Sequence, residues 1–312
     1  MTKQFVRPEV YRPPSEHDAY YLPLTSGCSN NSCTFCRYCG YKLMMRDMAD
    51  VKREIDAMAL FINNRIQIPG MSDMVYMMVS RWDGRKIFLQ DGDALIYPWI
   101  RLKEIIQYLH LKFPRLERIA SYATPTGLLR LTMEHLKELK RLKVDIIYVG
   151  VESGDDEVLK KVGKNATHDQ IVAACRKVKA AGIALSVTVI LGLGGKQGSE
   201  QHARETARIL SEIDPEFGGA LTLTLVPGTP LYEQCKRGEF QLISPFESLV
   251  ELKIMIENSS FTHCFFSSMH ASNYLTVRGM LPAAKAKMVK QIEDVLARKD
   301  PAMLRPEYLR GL

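Results

Sequence analysis

Apolar and β-branched residues gather into six short runs, separated by stretches whose apolar positions recur every three or four residues. The runs are Tyr20–Pro23 continuing into Leu24–Gly27, Lys86–Gln90, Arg118–Tyr122, Ile146–Val151, Ala184–Leu191 and Ala220–Val226. Trp99–Phe113, Thr132–Leu142, His168–Ala181 and Ser199–Ile213 between them have the periodicity of amphipathic helices. Strand alternating with helix predicts right-handed βαβ units and a parallel sheet. Six units are too few for a closed eight-stranded barrel, so the expected α/β fold is a partial (β/α)6 barrel of TIM type over residues 20–238. Residues 1–19, with Pro8, Pro13 and Pro14, read as an arm laid over the surface, and Gln67–Trp82 as an insertion before the second strand. After Gly238 the pattern turns to helices (Phe246–Ile256, Ala283–Ala297) with no further strand signal, which predicts a helical C-terminal extension over 239–312.

In such a sheet, functional residues collect at the C-terminal strand ends, where the loops surround one mouth. Each run here is followed by an unusual cluster: Gly27-Cys28, Asp91-Gly92-Asp93, Ser121-Tyr122, Glu152-Ser153-Gly154, Gly192–Gly195 and Pro227-Gly228-Thr229-Pro230.

Composition narrows the class. With 46% hydrophobic and 25% charged residues the chain is an ordinary globular one, and no run reaches the eighteen or so apolar residues of a membrane span. MTKQFVRPEV has no apolar signal core, so the expectation is a cytoplasmic protein. The net charge of +7 is a mild, dispersed excess that permits nucleic acid as a partner without arguing for it. Four of seven cysteines lie between positions 28 and 39, which reads as metal-binding or catalytic thiols rather than a disulfide framework.

Cys28, Cys33 and Cys36 have the spacing C-x4-C-x2-C, and Cys39 adds a fourth thiol three residues on. Soft thiolates on a short polar loop suit an iron–sulfur cluster, and three ligands on a cubane leave one iron open. A closed four-cysteine zinc site is the rival, although zinc sites usually draw on two separated pairs.

With Phe35 just before the third cysteine, the motif resembles the signature of the radical S-adenosylmethionine (SAM) superfamily. Its first spacing is usually three residues, and here it is four. The phrases FLQDGDALIYP, YVGVESGDDEVLKKVGK, VILGLGGKQGSEQHARETA, LVPGTPLYE and HASNY extend the resemblance over about residues 20–280. They are similar to the branch of oxygen-independent coproporphyrinogen dehydrogenases and methylthiotransferases.

The resemblance implies an oxygen-sensitive enzyme with a [4Fe–4S] cluster on Cys28, Cys33 and Cys36. The open iron chelates SAM; reductive cleavage yields methionine and a 5′-deoxyadenosyl radical that abstracts hydrogen from a substrate. It also implies an electron donor such as flavodoxin or ferredoxin. Asp91-Gly92-Asp93 matches the position that holds the SAM ammonium; Asp93 as a helix cap before Pro98 is the other reading. Glu152 matches a contact to ribose or methionine, or else caps the helix that follows. Lys164 matches a partner of the SAM carboxylate, though lone lysines are usually solvated. Ser121 or Tyr122, and Thr188, are placed to reach the ribose, and Gly192–Gly195 resembles the loop against adenine. Arg204 and His202 read as a solvated helix face.

Cys39, beside Tyr38 and Tyr41, is a candidate hydrogen-atom donor or else an incidental small hydrophobe. His270 and Asn273 are candidates for a substrate wall, or ordinary satisfied core groups. No later group of three or four cysteines exists, which counts against a second cluster. The substrate is expected to be a small molecule, with RNA or protein modification and a haem-chaperone-like carrier without turnover as alternatives.

Overall fold

The computed structural model describes residues 5–10 and 12–311; residues 1–4 and 11 of the expected arm lie outside the described residues. In chain order the first elements are β1 (Tyr20–Pro23), β2 (Thr25–Ser26), β3 (Met44–Met45), α1 (Met48–Asn64), α2 (Asp73–Ser80), β4 (Lys86–Gln90) and α3 (Trp99–Lys112). β5 (Arg118–Ala123), α4 (Pro125–Arg130), α5 (Met133–Arg141), β6 (Val144–Glu152), α6 (Asp156–Lys161), α7 (His168–Ala180) and β7 (Ala184–Leu191) follow. The remainder is α8 (Gly195–Ile213), β8 (Phe217–Thr222), α9 (Pro230–Lys236), α10 (Pro245–Asn258), β9 (Cys264–Ser267), β10 (Arg278–Leu281) and α11 (Lys285–Arg298). No helix among the described residues is long and apolar enough to cross a membrane.

The chain divides into two compact units. The first comprises residues up to Asn31, Tyr41–Tyr148 and Val178–Ile183. Here β1 runs parallel to β4, with Tyr20 opposite Ile87 and Pro23 opposite Gln90, and β4 runs parallel to β5, with Leu89 opposite Ser121. One strand face turns Leu22, Ile87, Leu89 and Ile119 into the core, where helices contribute Ile55, Met58, Leu102 and Ile105. Period-2 alternation puts Phe88, Tyr122 and Tyr148 together on the other face: Phe88 meets Tyr122 edge-on at 4.9 Å and Tyr148 at 5.8 Å. Glu16 of the arm does not lie over the surface. It is fully buried, accepting from Tyr148 at 2.6 Å and Arg118 at 2.5 Å, and its carbonyl accepts from the Tyr21 hydroxyl.

The second unit comprises Ser32–Gly40, Val149–Lys177 and the residues from Ala184 on. β7 and β8 run parallel from Ser186 opposite Phe217 to Leu191 opposite Thr222; β8 and β9 run parallel; β9 and β10 are antiparallel. α10 and α11 are the helices expected after Gly238, but two strands, β9 and β10, lie between them, which corrects the reading of no further strand there. Four residues, Cys-Phe-Phe-Ser, are too few for alternation to show. β8 also begins three residues earlier than expected, at Phe217. Gly218 and Gly219 read as a loop in sequence, yet a Cβ on Gly218 would sit 2.8 Å from the Phe266 ring, so the glycine is what lets β9 close on β8.

Candidate functional site

In the first unit, the ends of β1 and β4 are tied together. The Leu24 amide donates to the Gln90 carbonyl at 2.7 Å, the Gly27 amide to Asp91 Oδ2 at 3.0 Å, and the Asp91 amide to Thr25 Oγ1 at 3.3 Å. Cys28 follows directly, its thiol 3.8 Å from the Gly92 carbonyl. A Cβ on Gly92 would stand 2.9 Å from Cys28 Cβ and 3.2 Å from the Gly27 carbonyl, so only glycine lets this strand end reach the cysteine.

Asp93 is wholly buried, and although it precedes the 3-10 turn Ala94–Ile96 its side chain makes no cap bond there. Its carboxylate accepts from the Ser29 hydroxyl, from Thr124 Oγ1 at 2.7 Å and from the Thr124 amide at 3.2 Å. Burial pushes this carboxyl up, and those three donors pull it back down in part. Both aspartates therefore brace the cysteine loop. Of the pair left open at the end of β5, Ser121 is buried and donates to the Tyr122 carbonyl at 2.9 Å. Tyr122 stands on the aromatic face with Phe88, and burial raises its phenol far above the ordinary tyrosine range.

In the second unit, the rest of the cysteine loop is held at both ends. The Thr34 amide donates to the Val162 carbonyl at 2.8 Å, and the Leu231 amide to the Thr34 carbonyl at 3.0 Å. Phe35 packs on a buried cluster that includes Val158, Val162, Leu193 and Leu231. Cys33 is buried, and Cys36 Sγ accepts the Tyr38 amide at 3.5 Å. Burial raises the Cys36 thiol and that amide lowers it. Cys39, half-buried, donates its amide to the Cys36 carbonyl at 2.9 Å.

Glu152, the last residue of β6, has φ 66°, and the Ser153 amide turns back to the Val151 carbonyl at 2.8 Å. That is a γ-turn in its rare, left-handed form. The turn aims Glu152 at Lys164, whose Nζ donates to Oε1 at 2.9 Å with both side chains largely buried. A Cβ on Gly150 would fall 2.0 Å from the same Oε1. Glu152 does not cap the next helix; Asp155 does, accepting the Glu157 amide. Lys164 is likewise not solvated, so the two residues expected to serve SAM separately are joined as a pair.

The turn is fastened to α8. A Cβ on Gly154 would lie 2.0 Å from the Glu205 carbonyl, and the Gly154 amide donates to Thr206 Oγ1 at 3.1 Å. His202 is fully buried, which corrects the expectation of a solvated face; Arg204 is exposed and pairs with Glu200. His202 Nε2 donates to the Ile190 carbonyl at 3.0 Å, and Nδ1 accepts from Ser153 at 2.8 Å. Burial drives the imidazole down to about 4, so it is neutral, and its 4.0 Å approach to Glu251 is not an ion pair at neutral pH. Thr188 is half-buried on β7, on the same strand face as Ile190.

Gly192, with φ 82°, donates its amide to Glu251 Oε2 at 2.6 Å, and Ser199 donates to Oε1 at 2.6 Å. Asn273 is no free substrate contact. Its amide donates to the Ala220 and Ser268 carbonyls and accepts from Thr222, tying the His270–Tyr274 phrase to β8. His270 is half-exposed and bonds Ser272 at 2.9 Å; burial lowers its imidazole, with Arg305 adding to the effect.

The family model of the radical SAM superfamily matches residues 22–210, more than half of the chain. The chain belongs to the radical SAM superfamily. With the family come its two cofactors, a [4Fe–4S] cluster and S-adenosylmethionine. This radical SAM chain is 24% identical over 221 residues to the tRNA-2-methylthio-N(6)-dimethylallyladenosine synthase of Treponema pallidum (strain Nichols), covering 68% of this chain and 44% of that protein. It is 20% identical over 229 residues to the heme chaperone HemW of Bacillus subtilis (strain 168), covering 73% and 57%. The solved structure of coproporphyrinogen III oxidase (HemN) from Escherichia coli, a radical SAM enzyme, aligns with a TM-score of 0.54 at 16% identity, covering 77% of this chain and 51% of that one. That likeness shows a shared α/β fold. The chain spans about half the length of the curated relatives it matches.

The donor set fits the family's cluster: three thiols lie within nine residues, and Cys36 already receives the N–H···S contact that tunes thiolates on iron. Cys28 belongs to the first unit, and Cys33 and Cys36 to the second. No three His, Cys, Asp or Glu side chains among the described residues stand together as a metal-ion site. The ligand set is therefore carried by the motif, not by side-chain geometry.

Sequence reading missed Ser29, Thr124 and Glu251. Only Glu251 left a signal, as an acidic residue on the apolar stripe of α10 with Ser248, Leu252 and Met255. Burial pushes its carboxyl from 4.5 to about 7, against the pull of Ser199 and the Gly192 amide, with Glu247 adding repulsion. A carboxyl raised in the folded state contributes its stability below pH 4.5 and loses it as pH climbs through 7. Glu251→Gln, which copies the neutral form, is expected to flatten thermal stability between pH 5 and 8, recovering about 3 kcal/mol at the upper end. An unchanged slope refutes this.

Proposed function

We propose that Cys28, Cys33 and Cys36 hold the [4Fe–4S] cluster and that the chain cleaves SAM reductively to abstract hydrogen from a small molecule. The observation that carries this reading is the family match over 22–210 with the three-cysteine motif inside it. When bound, the cluster supplies the electron that breaks the sulfonium C–S bond, giving methionine and a 5′-deoxyadenosyl radical.

The chain's own residues bind and orient. The Gly92 carbonyl, bared by the absence of a side chain, accepts from the SAM ammonium, while Asp91 and Asp93 keep that strand end and the Cys28 loop in register. Lys164 faces the SAM carboxylate; an ammonium has three donors, so holding Glu152 and holding a carboxylate are not exclusive. Glu152 accepts from ribose hydroxyls, with Tyr122 and Thr188 on the same duty. Gly192–Gly195 approaches adenine, braced by Glu251. An electron donor such as flavodoxin or ferredoxin completes the system, in the cytoplasm.

Lys164→Met is expected to weaken SAM binding about tenfold to a hundredfold, the worth of a charge-assisted hydrogen bond, with iron content unchanged. Equal affinity would remove the lysine from the site. The reading as a whole is tested by anaerobic reconstitution. The electron paramagnetic resonance of the reduced cluster should change on adding SAM, and 5′-deoxyadenosine should be released under reductant. A cluster indifferent to SAM overturns it.

RNA modification is favoured as a second reading by the named methylthio synthase. Against it, the cysteines outside 28–39 are the scattered Cys175, Cys235 and Cys264, which form no second motif. Likeness to the heme chaperone favours a carrier instead. Absence of 5′-deoxyadenosine from a SAM-responsive cluster would select that carrier.

A further inference from the structure

A cavity of about 460 Å³ opens over the ends of β7 and β8 in the second unit. That volume suits a small molecule. Its lining is mostly apolar, with Leu191, Leu223, Leu225, Leu242, Ile243 and Pro245, and its polar groups include Thr224, Tyr274, Glu307 and Arg310. Arg310 is the only cation among the lining residues, and its side chain is 7% exposed.

Its guanidinium is fixed on every side. Nε donates to the Ser272 carbonyl at 2.7 Å, Nη2 to the Leu223 carbonyl at 3.3 Å, and the plane lies 4.1 Å from the Tyr274 ring centre. Nη1 donates to the Tyr274 hydroxyl and to Glu307 Oε1, the latter at 2.5 Å. Glu307 is the only acidic side chain among the lining residues, and it is 71% exposed, three residues from Arg310 in the chain. A buried, preorganised guanidinium needs an anion, and the one it has here is a solvent-exposed carboxylate, held on Oε1 by Arg310 and on Oε2 by the Tyr274 hydroxyl at 2.8 Å.

We propose that this cavity binds the substrate, a small amphipathic carboxylic acid, with its carboxylate replacing that of Glu307 on Arg310. One guanidinium balances one negative charge, which selects a monocarboxylate over polyanions such as nucleotides. The six apolar residues select a hydrocarbon body over a sugar or zwitterion. The wall is built before the guest arrives: the Thr222 amide donates to Ser272 Oγ at 3.1 Å, and Asn273 anchors the same turn to β8. Rigid walls lower the ordering cost of binding. The inference rests on the radical SAM reading only for naming the guest a substrate; its binding is independent of SAM chemistry.

The test uses the reconstituted full chain with SAM, titrated calorimetrically with octanoate and with octanol. Octanoate should bind saturably and at least about tenfold more tightly than octanol, the worth of one charge-assisted contact. Arg310→Gln should erase that difference, and Glu307→Gln, by removing the internal competitor, should tighten octanoate about threefold or more. Leu242→Trp, which puts a bulkier side chain in the lining, should weaken both probes. Equal binding of the two probes to the wild type, or weaker octanoate binding in Glu307→Gln, overturns the proposal. Tighter binding of octyl phosphate than of octanoate replaces carboxylate with phosphomonoester and overturns it as stated. Arg310-dependent octanoate binding by a chain that never cleaves SAM would sink the radical SAM reading and leave this one standing.

Discussion

Cys28→Ala, Cys33→Ala and Cys36→Ala, made one at a time, are each expected to abolish the brown iron–sulfur chromophore and 5′-deoxyadenosine release, while Cys39→Ala retains both. A cubane needs all three protein thiolates to leave a single open iron, so each loss is all-or-none, of the order of a thousandfold or more in SAM cleavage. Cys39 follows in the next turn, its amide on the Cys36 carbonyl, and Phe35 rather than Cys39 anchors the loop to the apolar cluster beneath it. Iron analysis with ultraviolet–visible spectra of anaerobically reconstituted variants decides the matter. Loss of iron from Cys39→Ala with retention in one of the others would redraw the ligand set. A chain with Cys39→Ala that cleaves SAM but no longer places solvent deuterium in product would make Cys39 the hydrogen donor; unchanged turnover would refute that role.

Gly154→Ala is expected to cost about 3 kcal/mol of stability or more, read as a fall of several degrees in the thermal midpoint. The clash is backbone against backbone: the new Cβ would meet the Glu205 carbonyl at 2.0 Å and its carbon at 2.5 Å, so no side chain can swing aside. The turn must move off α8, and with it go the Thr206 and His202 contacts that aim Glu152. Gly198→Ala, on the first turn of α8 with nothing near its Cβ, should be neutral or slightly stabilising. Equal effects from the two substitutions would show that the close approach at Gly154 is relieved at no cost.

The order of strands and helices was legible because β4 is a continuous apolar run, β7 alternates with period 2, and α5 and α7 repeat with period 3.6. Ser244 and Glu247 even spell out the capping box that starts α10. β8 shifted because its first half holds two glycines, and the purpose of Gly218, room for Phe266, belongs to a strand nearly fifty residues later. The strand-end clusters were found, yet their inner partners were not. Thr124 and Ser29 become partners of Asp93 only when β4 and β5 lie side by side. His202 looked solvated because its neighbours on α8 are charged, whereas its own face meets the Ser153 turn and the Ile190 carbonyl. Between Ser121 and Tyr122 sequence could not choose; strand pleating puts only the tyrosine on the aromatic face.

The left-handed geometry at Glu152 limits how this protein can change. Relaxing that turn by Glu152→Gly would regain about 1–3 kcal/mol of backbone strain. It would also remove the largely buried ion pair with Lys164 that the turn aims. The single step therefore trades backbone strain against a lost buried ion pair, and neither change comes without the other. Acid and base at these two positions are thus expected to persist together or vanish together in any drifting population of this gene.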